Sequence, residues 1–240
     1  MLKAVTLDVW NTILDIDMFY YRVAEYLAGL TKKPQKEITD LIHKGYKEIR
    51  YMRKLGKFSD HLIVLQSLRA LSNIVGIEMG ILKKAFTETI TSINPQDVII
   101  EGVINVLQEL RDLGLKLATI GNVIFWPGSL TRSLLERSNI ARYLEIQVYA
   151  DEVGYSKPKK EIFHYTLRCL GINNPEEVLH VGDSLYEDFA GAILAHMKAA
   201  LIDSARDTVV EIADGEAFII PNIVHLPKIV RKIMSRDCET

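Results

Sequence analysis

Ala4-Val5-Thr6-Leu7-Asp8-Val9-Trp10-Asn11-Thr12 begins with a short apolar run that stops at an acid. Such a run, bounded by a polar residue, reads as a buried strand over 4–7 with Asp8 at its carboxyl end. The next 75 or so residues change pattern. From Met18 to about Ile93 apolar residues recur at spacings of three and four. Val23, Leu27 and Leu30 form one set, and Ile38, Ile42, Tyr46, Ile49 and Met52 a second. Leu62, Leu65, Leu68, Leu71 and Val75 form a third, and Ile81, Ala85, Thr89 and Ile93 a weaker fourth. This spacing predicts four helices and no strand. Pro34 stands where a first helical turn tolerates it.

After the turn signal Asn94-Pro95 the pattern alternates. A helix is expected over 103–113, stopped by Gly114, then a strand over 115–120. A helix over 128–138, a short strand over 146–149 and a helix over 159–170, stopped by Gly171, come next. Asn174-Pro175-Glu176-Glu177 combines a capping residue, a first-turn proline and early acids. Strands over 178–181, 199–202 and 217–220 follow, with helices over 185–196 and 227–234. Strands alternating with helices imply a parallel sheet covered on both faces. The economical reading is a doubly wound α/β core, residues 1–16 plus 95–240, with an all-helical cap inserted over 17–94. No internal repeat or low-complexity tract interrupts it.

The composition bounds the function. The chain has 240 residues, 29 Lys and Arg against 31 Asp and Glu, and a formal charge of −2. Apolar residues are 48% and charged residues 25%, enough for a core without a metal or disulfide staple. Near-neutral charge removes the electrostatic case for a nucleic-acid or membrane-surface partner. The two cysteines, Cys169 and Cys238, are too far apart in sequence to read as a disulfide framework or zinc site. The first ten residues, with Asp8 among them, do not read as a signal peptide, and no apolar run approaches ~18–20 residues. The expectation is a cytoplasmic enzyme or binding protein.

Ligands of doubly wound sheets bind outside the carboxyl ends of the strands. Asp8, Gly121-Asn122 and Gly182-Asp183 all fall there. Adjacent strands would bring Asp8 and Asp183 close, which is costly unless a cation or a shared proton intervenes. Oxygen ligands with no His or Cys nearby favour Mg²⁺. Lys157, in Tyr155-Ser156-Lys157-Pro158, could neutralise an anionic substrate.

Asp8-Val9-Trp10-Asn11-Thr12, Ile120-Gly121-Asn122, Lys157-Pro158 and Gly182-Asp183-Ser184-x-x-x-Asp188 together resemble the four ordered motifs of the haloacid dehalogenase-like hydrolase superfamily. The position of the helical segment resembles the branch with a cap between the first two motifs. The resemblance implies that Asp8 is a nucleophile forming a covalent aspartyl intermediate. It implies that Mg²⁺ is held by Asp8, the Trp10 carbonyl and Asp183, with Asp188 an outer or water-mediated ligand. Lys157 would hold nucleophile and transferring group, Asn122 would donate to substrate oxygens, and Thr12 would support the loop.

Two positions depart from the phosphatase pattern. Trp10 stands where a second Asp usually protonates the leaving oxygen, a contribution of ~10²–10⁴-fold. Gly121 stands where Ser or Thr usually binds a substrate oxygen, and Thr119 lies two residues earlier on the same strand face. Retention of Asp183 and Asp188 favours Mg²⁺-dependent phosphoryl transfer, with a good leaving group such as an acyl or aryl phosphate, or a proton from elsewhere. Tyr20, Tyr21, His43 and His61 are candidate sources. Arg50, Arg53, Lys54 and Lys57 form a basic stretch, either a solvated face or a site for an anionic substrate tail. Phe125-Trp126-Pro127-Gly128 either walls the pocket or packs the hinge. Trp10 keeps a 2-haloacid dehalogenase in view. Trp10 and Gly121 together keep a non-catalytic binder of a phosphorylated ligand in view.

Overall fold

The computed structural model describes residues 1–237, so Cys238 lies outside the described residues; Cys169 is exposed and free. Seven strands build one sheet: β1 Ala4–Leu7, β2 Lys116–Gly121, β3 Ile146–Tyr149, β4 Val178–Gly182, β5 Lys198–Ile202, β6 Val210–Ile212 and β7 Ala217–Ile220. Their order is β3-β2-β1-β4-β5-β7-β6, parallel throughout except for β6 against β7. The chain winds outward from β1 to β3, then crosses back to place β4 on the other side of β1. The switch in direction therefore lies between β1 and β4, where doubly wound sheets open a ligand crevice.

The described residues form ten α-helices: α1 Ile16–Thr31, α2 Gln35–Lys54, α3 Ile63–Val75, α4 Met79–Ser92, α5 Val103–Asp112, α6 Gly128–Arg137, α7 Ala150–Val153, α8 Lys160–Leu170, α9 Gly191–Leu194 and α10 Leu226–Asp237. The first four lie in sequence between β1 and β2. Strand alternation divides the core. Val5, Leu7, Leu117 and Val181 face one side with Leu107 and Leu110 of α5 and Ile229 and Ile233 of α10. Ala4, Ala118, Ile120 and Val178 face the other with Ile162, Phe163 and Leu167 of α8. Strands buried on both faces read as continuous apolar runs, which is how they were expected from sequence.

The local chemistry explains the element ends. The Asp15 carboxylate caps α1 by accepting from the Asp17 and Met18 amides at 2.8 and 2.9 Å. Gly171 closes α8 with a left-handed backbone, φ 69°. Asn174 caps its segment as expected, by accepting from the Glu176 amide, but Pro175–Glu177 makes only a single 3₁₀ turn.

Two differences from the sequence reading matter. Strand β6 was not expected; it is three residues long and half-exposed, so it has no buried run to announce it. The stretch read as one helix over 185–196 begins instead with a π-helical turn, Leu185–Ala190, before α9. Among the described residues no single helix is long and apolar enough to cross a membrane.

Replacing Asp15 with Ala should lower stability by about 1 kcal/mol through loss of the α1 cap. Urea unfolding of Asp15→Ala beside the parent checks this, and no measurable change would show the cap to be idle.

Candidate active site

Asp8 leaves the end of β1 directly above the switch point, its amide bonded to the Val181 carbonyl of β4 at 2.8 Å. Asp183 and Asp188 follow β4. One carboxylate oxygen from each of Asp8, Asp183 and Asp188 lies within 4.8 Å of the others. Strand order thus brings together carboxylates that are 175 residues apart, as the motifs implied.

Lys157, just before α8, is the countercharge. Its side chain is 1% exposed, and Nζ donates to Asp8 Oδ1 at 2.5 Å and Asp188 Oδ1 at 2.6 Å. Burial alone would lower the Lys157 pKa, but Asp188 and Asp8 outweigh it and hold the ammonium charged. Burial also acts on Asp188, yet Lys157 and His180 reverse it and keep that carboxyl ionised. For Asp8 the balance differs: burial, with Asp188 and Asp183 beside it, pushes its pKa up to about 7 against the pull of Lys157. Burial and Asp188 raise Asp183 as well.

Asp188 is fully engaged. Oδ1 also accepts from His180 Nε2 at 3.1 Å, and Oδ2 accepts from the Ser184 amide at 3.0 Å. Thr6 Oγ1 lies 2.9 Å from His180 Nδ1. Burial lowers the His180 pKa, so the geometry assigns a neutral ring that accepts from Thr6 and donates to Asp188. Gly182 makes the room: a Cβ there would sit 2.2 Å from the Asp188 carboxyl carbon. Asp183 is held differently, its Oδ2 accepting from Asn11 Nδ2 at 3.3 Å. Asn11 reaches it from a left-handed turn, φ 63°, which Asn tolerates.

The donor set suits a hard divalent cation. Three carboxylates cluster around one ammonium, which bonds to two of them, and burial together with the neighbouring Asp188 and Asp183 raises the Asp8 pKa. The amides of Thr12, Ile13 and Leu14 all fold back onto the Val9 carbonyl. Among the described residues none donates to the Trp10 carbonyl, which leaves that oxygen available. Asp8, Asp183 and the Trp10 carbonyl therefore fit as direct ligands, while Asp188, already taking three hydrogen bonds, fits as the group that orients them.

The second motif sits otherwise than expected. The Asn122 side chain clamps the Lys157 main chain, Oδ1 accepting from its amide at 2.8 Å and Nδ2 donating to its carbonyl at 3.1 Å. Nδ2 also lies 3.3 Å from Glu187 Oε2. Its donors are thus engaged, and Asn122 positions Lys157 rather than presenting free hydrogens. Thr119 is fully buried, and neither it nor Gly121 is among the cavity-lining residues. The space beside Gly121 is filled by Tyr149, whose ring lies 2.8 Å from where a Cβ would be. The oxygen expected of a Ser or Thr at 121, or of Thr119 in its place, is therefore not supplied to the cavity.

Helix α2 closes the site from above. Arg53 NH2 donates to Glu187 Oε1 at 2.5 Å, and its NH1 to the Val123 carbonyl at 3.2 Å. Arg50 holds the same carboxylate more loosely, with two contacts of 3.3 Å. Burial would raise the Glu187 pKa, but the two guanidiniums pull it down to about 2. Of the basic stretch, Arg50 and Arg53 turn inward and pair with Glu187, whereas Lys54 and Lys57 are exposed. Glu187 and His180 were not anticipated; a lone His inside the apolar strand β4 was the one signal.

The cavity beneath is small, about 40 Å³, enough for about three waters. Asp8 and Asp183 form its floor; Trp10, Tyr20, Arg50 and Trp126 are among its walls. Trp10 packs edge-on against Trp126 at 5.3 Å and tilted against Phe19 at 5.1 Å. The Phe125-Trp126 segment both walls and packs: Trp126 lines the cavity, while Phe125 stacks on Phe86 of α4 at 5.3 Å. Tyr20 is fully buried and its hydroxyl has no hydrogen-bond partner, a deficit of about 1–3 kcal/mol. Tyr21 and His61 are exposed, and His43 stands edge-on to the Tyr20 ring at 5.6 Å.

Comparison with known proteins agrees with this geometry. A family model described as haloacid dehalogenase-like hydrolase matches residues 2–196. The glyceraldehyde 3-phosphate phosphatase of Methanothermobacter thermautotrophicus is 29% identical over 212 residues, 85% of this chain and 87% of that protein. The pyrimidine 5'-nucleotidase YjjG of Escherichia coli is 29% identical over 130 residues, 54% of this chain; the match spans only about half, 55%, of that relative's length. The crystal structure of a HAD phosphatase from Thermococcus onnurineus superposes with a TM-score of 0.66 at 26% identity, covering 95% of this chain and 98% of that one.

Glu187 supplies a pH test. A depressed pKa means stability that is present above the unfolded value of 4.5 and is lost as pH falls toward about 2. The stability difference between the parent and Glu187→Gln should be about 3 kcal/mol at pH 7 and shrink across that window. Urea titrations at pH 7, 4 and 2.5 read it; a difference independent of pH would contradict the assignment.

Proposed function

The chain belongs to the haloacid dehalogenase-like hydrolase family, and we propose on that basis that it is a Mg²⁺-dependent phosphatase acting on a small phosphorylated metabolite through Asp8. The observation that carries this reading is Asp183, half-buried, bonded to Asn11 and within reach of Asp8 and Asp188. A hydrolase working on carbon–halogen bonds has no need of that third carboxylate. Asp8 Oδ1 is occupied by Lys157, so Oδ2 is the oxygen free to attack phosphorus. Lys157 keeps the nucleophile oriented and opposes the rise in its pKa, and its charge is available to the incoming phosphoryl oxygens. Bound by Asp8, Asp183 and the Trp10 carbonyl, Mg²⁺ would offset the repulsion between a carboxylate nucleophile and an anionic phosphoryl group.

Attack by Asp8 releases the leaving oxygen and forms an aspartyl phosphate. Water then cleaves the oxygen–phosphorus bond, and phosphate departs with Asp8 restored. His180 and Thr6 hold Asp188, and through it Lys157, in register for both steps. In this reading helices α1 to α4 are the cap, residues 17–94, which closes over the carboxyl ends of the strands and excludes bulk water. The Arg53–Glu187 bridge and the Asp60 contacts to Ser156 and Lys159, at 2.8 and 2.6 Å, hold it shut.

Asp8→Asn should lower phosphate release from small phosphorylated substrates by at least about 10³-fold, as loss of a nucleophile does. EDTA should abolish release by the parent, and added Mg²⁺ should restore it. Equal turnover by Asp8→Asn, or indifference to chelation, would contradict the proposal. Metal-independent halide release from a 2-chloro acid would identify the dehalogenase alternative, and tight phosphate binding without turnover the non-catalytic one.

A further inference from the structure

Trp10 leaves the cavity without a general acid. Lys157 is committed to Asp8 and Asp188, His180 lies behind Asp188, and Glu187 is ionised between two arginines. The two phenols at the cavity, Tyr20 and Tyr46, are both pushed upward by burial, Tyr46 to about 12, so they donate hydrogen bonds but yield protons poorly. An alkoxide cannot leave easily from such a site. A carboxylate can, since its conjugate acid has a pKa near ~4.

The roof is built to receive such a group. Two guanidiniums hold a single carboxylate, Glu187, and with Asp183 engaged by the proposed cation one positive charge is left over. Arg53 is tightly held, 2.5 Å from Glu187 and bonded to Val123, whereas both contacts of Arg50 are at 3.3 Å. Arg50 is the freer of the two. Tyr20 lines the same cavity as Arg50, and its buried hydroxyl has no hydrogen-bond partner among the described residues. An orphaned donor beside a surplus guanidinium is a receptor for an oxyanion. The cavity is far below the ~300–1,000 Å³ of sites that enclose larger ligands, which favours a small substrate.

We propose that Tyr20 and Arg50 form a leaving-group subsite for a carboxylate, and that the substrate is a small acyl phosphate. This rests on the phosphatase reading above and specifies its substrate class. Asp8 Oδ2 bonds to phosphorus as the phosphorus–oxygen bond of the acyl phosphate breaks. The electron pair stays on the departing carboxylate, which needs no proton and is received by the Tyr20 hydroxyl and the Arg50 guanidinium. Water then attacks the phosphorus of the aspartyl phosphate; its oxygen and protons leave in the inorganic phosphate and the medium. Acyl phosphate and water thus give carboxylate and phosphate, with no other reactant.

The test compares acetyl phosphate with ethyl phosphate in the Mg²⁺-loaded protein, and measures acetate as a competitive inhibitor. Acetyl phosphate should be preferred in kcat/KM by more than about 10³-fold, because the ~10²–10⁴-fold of general-acid assistance is absent for an alkyl leaving group. Tyr20→Phe and Arg50→Gln should each weaken acetate inhibition and acetyl phosphate turnover by about 10–100-fold, the worth of a hydrogen bond to a charged group. Tyr20→Phe should leave the melting temperature unchanged or higher, because it removes an unpaired buried hydroxyl; a merely structural Tyr20 would show the reverse. Comparable Asp8-dependent turnover of ethyl phosphate, or acetate inhibition unaffected by both variants, overturns this inference and leaves the phosphatase reading standing. No Asp8-dependent phosphate release from either substrate overturns both.

Discussion

A lysine side chain with almost no solvent contact, held between two carboxylates at 2.5 and 2.6 Å, organises the centre of this molecule. Burying an ammonium is expensive, and only partners of opposite charge in good geometry offset it. Asp8 comes from the end of β1, Asp188 from the turn after β4, and Lys157 from the approach to α8. The charge cluster therefore fixes three connections of the sheet relative to one another. Around it the supports are specific: Asn122 clamps the lysine main chain, His180 and Ser184 hold Asp188, and Gly182 leaves space for its carboxylate.

That arrangement leaves an electrostatic debt. Asp183 is the carboxylate that Lys157 does not reach, and Asp8 is pushed toward neutrality by the company it keeps. A divalent cation would resolve both at once, since the set of oxygens on offer is of the hard kind. The opposite wall has the opposite sign. Arg50 and Arg53 from α2 outnumber the one acid they hold. A negative floor and a roof with two arginines are the basis of the proposed phosphoryl transfer.

Much of this was legible in the sequence because it is encoded locally. The strands over 4–7 and 178–181 are short, mainly apolar runs, interrupted only by Thr6 and His180, and Asp8 and Gly182-Asp183 follow them directly. Helices α1 to α4 announce themselves by spacing. What stayed hidden depends on contacts between distant residues. Glu187 bonds to arginines 134 and 137 positions earlier, and no local pattern records that. The stretch after Ser184 has ordinary helical periodicity, yet its first turn is π-helical, and adjacent residues Glu187 and Asp188 are both buried. Regular helix would separate their directions by about a quarter turn; π turns of this kind concentrate at functional sites. Gly121 was seen as a departure, but the ring that occupies its place, Tyr149, comes from another strand. Asn122 was visible as a polar residue at a strand end, whereas its attachment to the Lys157 main chain needed the folded chain.

The shared cation is the point on which the rest turns, and crystals grown with Mn²⁺ test it most directly. Anomalous scattering should place one ion between the carboxylates of Asp8 and Asp183 and against the Trp10 carbonyl, with Asp188 still bonded to Lys157. A well-ordered site with no anomalous peak there at saturating Mn²⁺, or with the ion bound elsewhere, would contradict it.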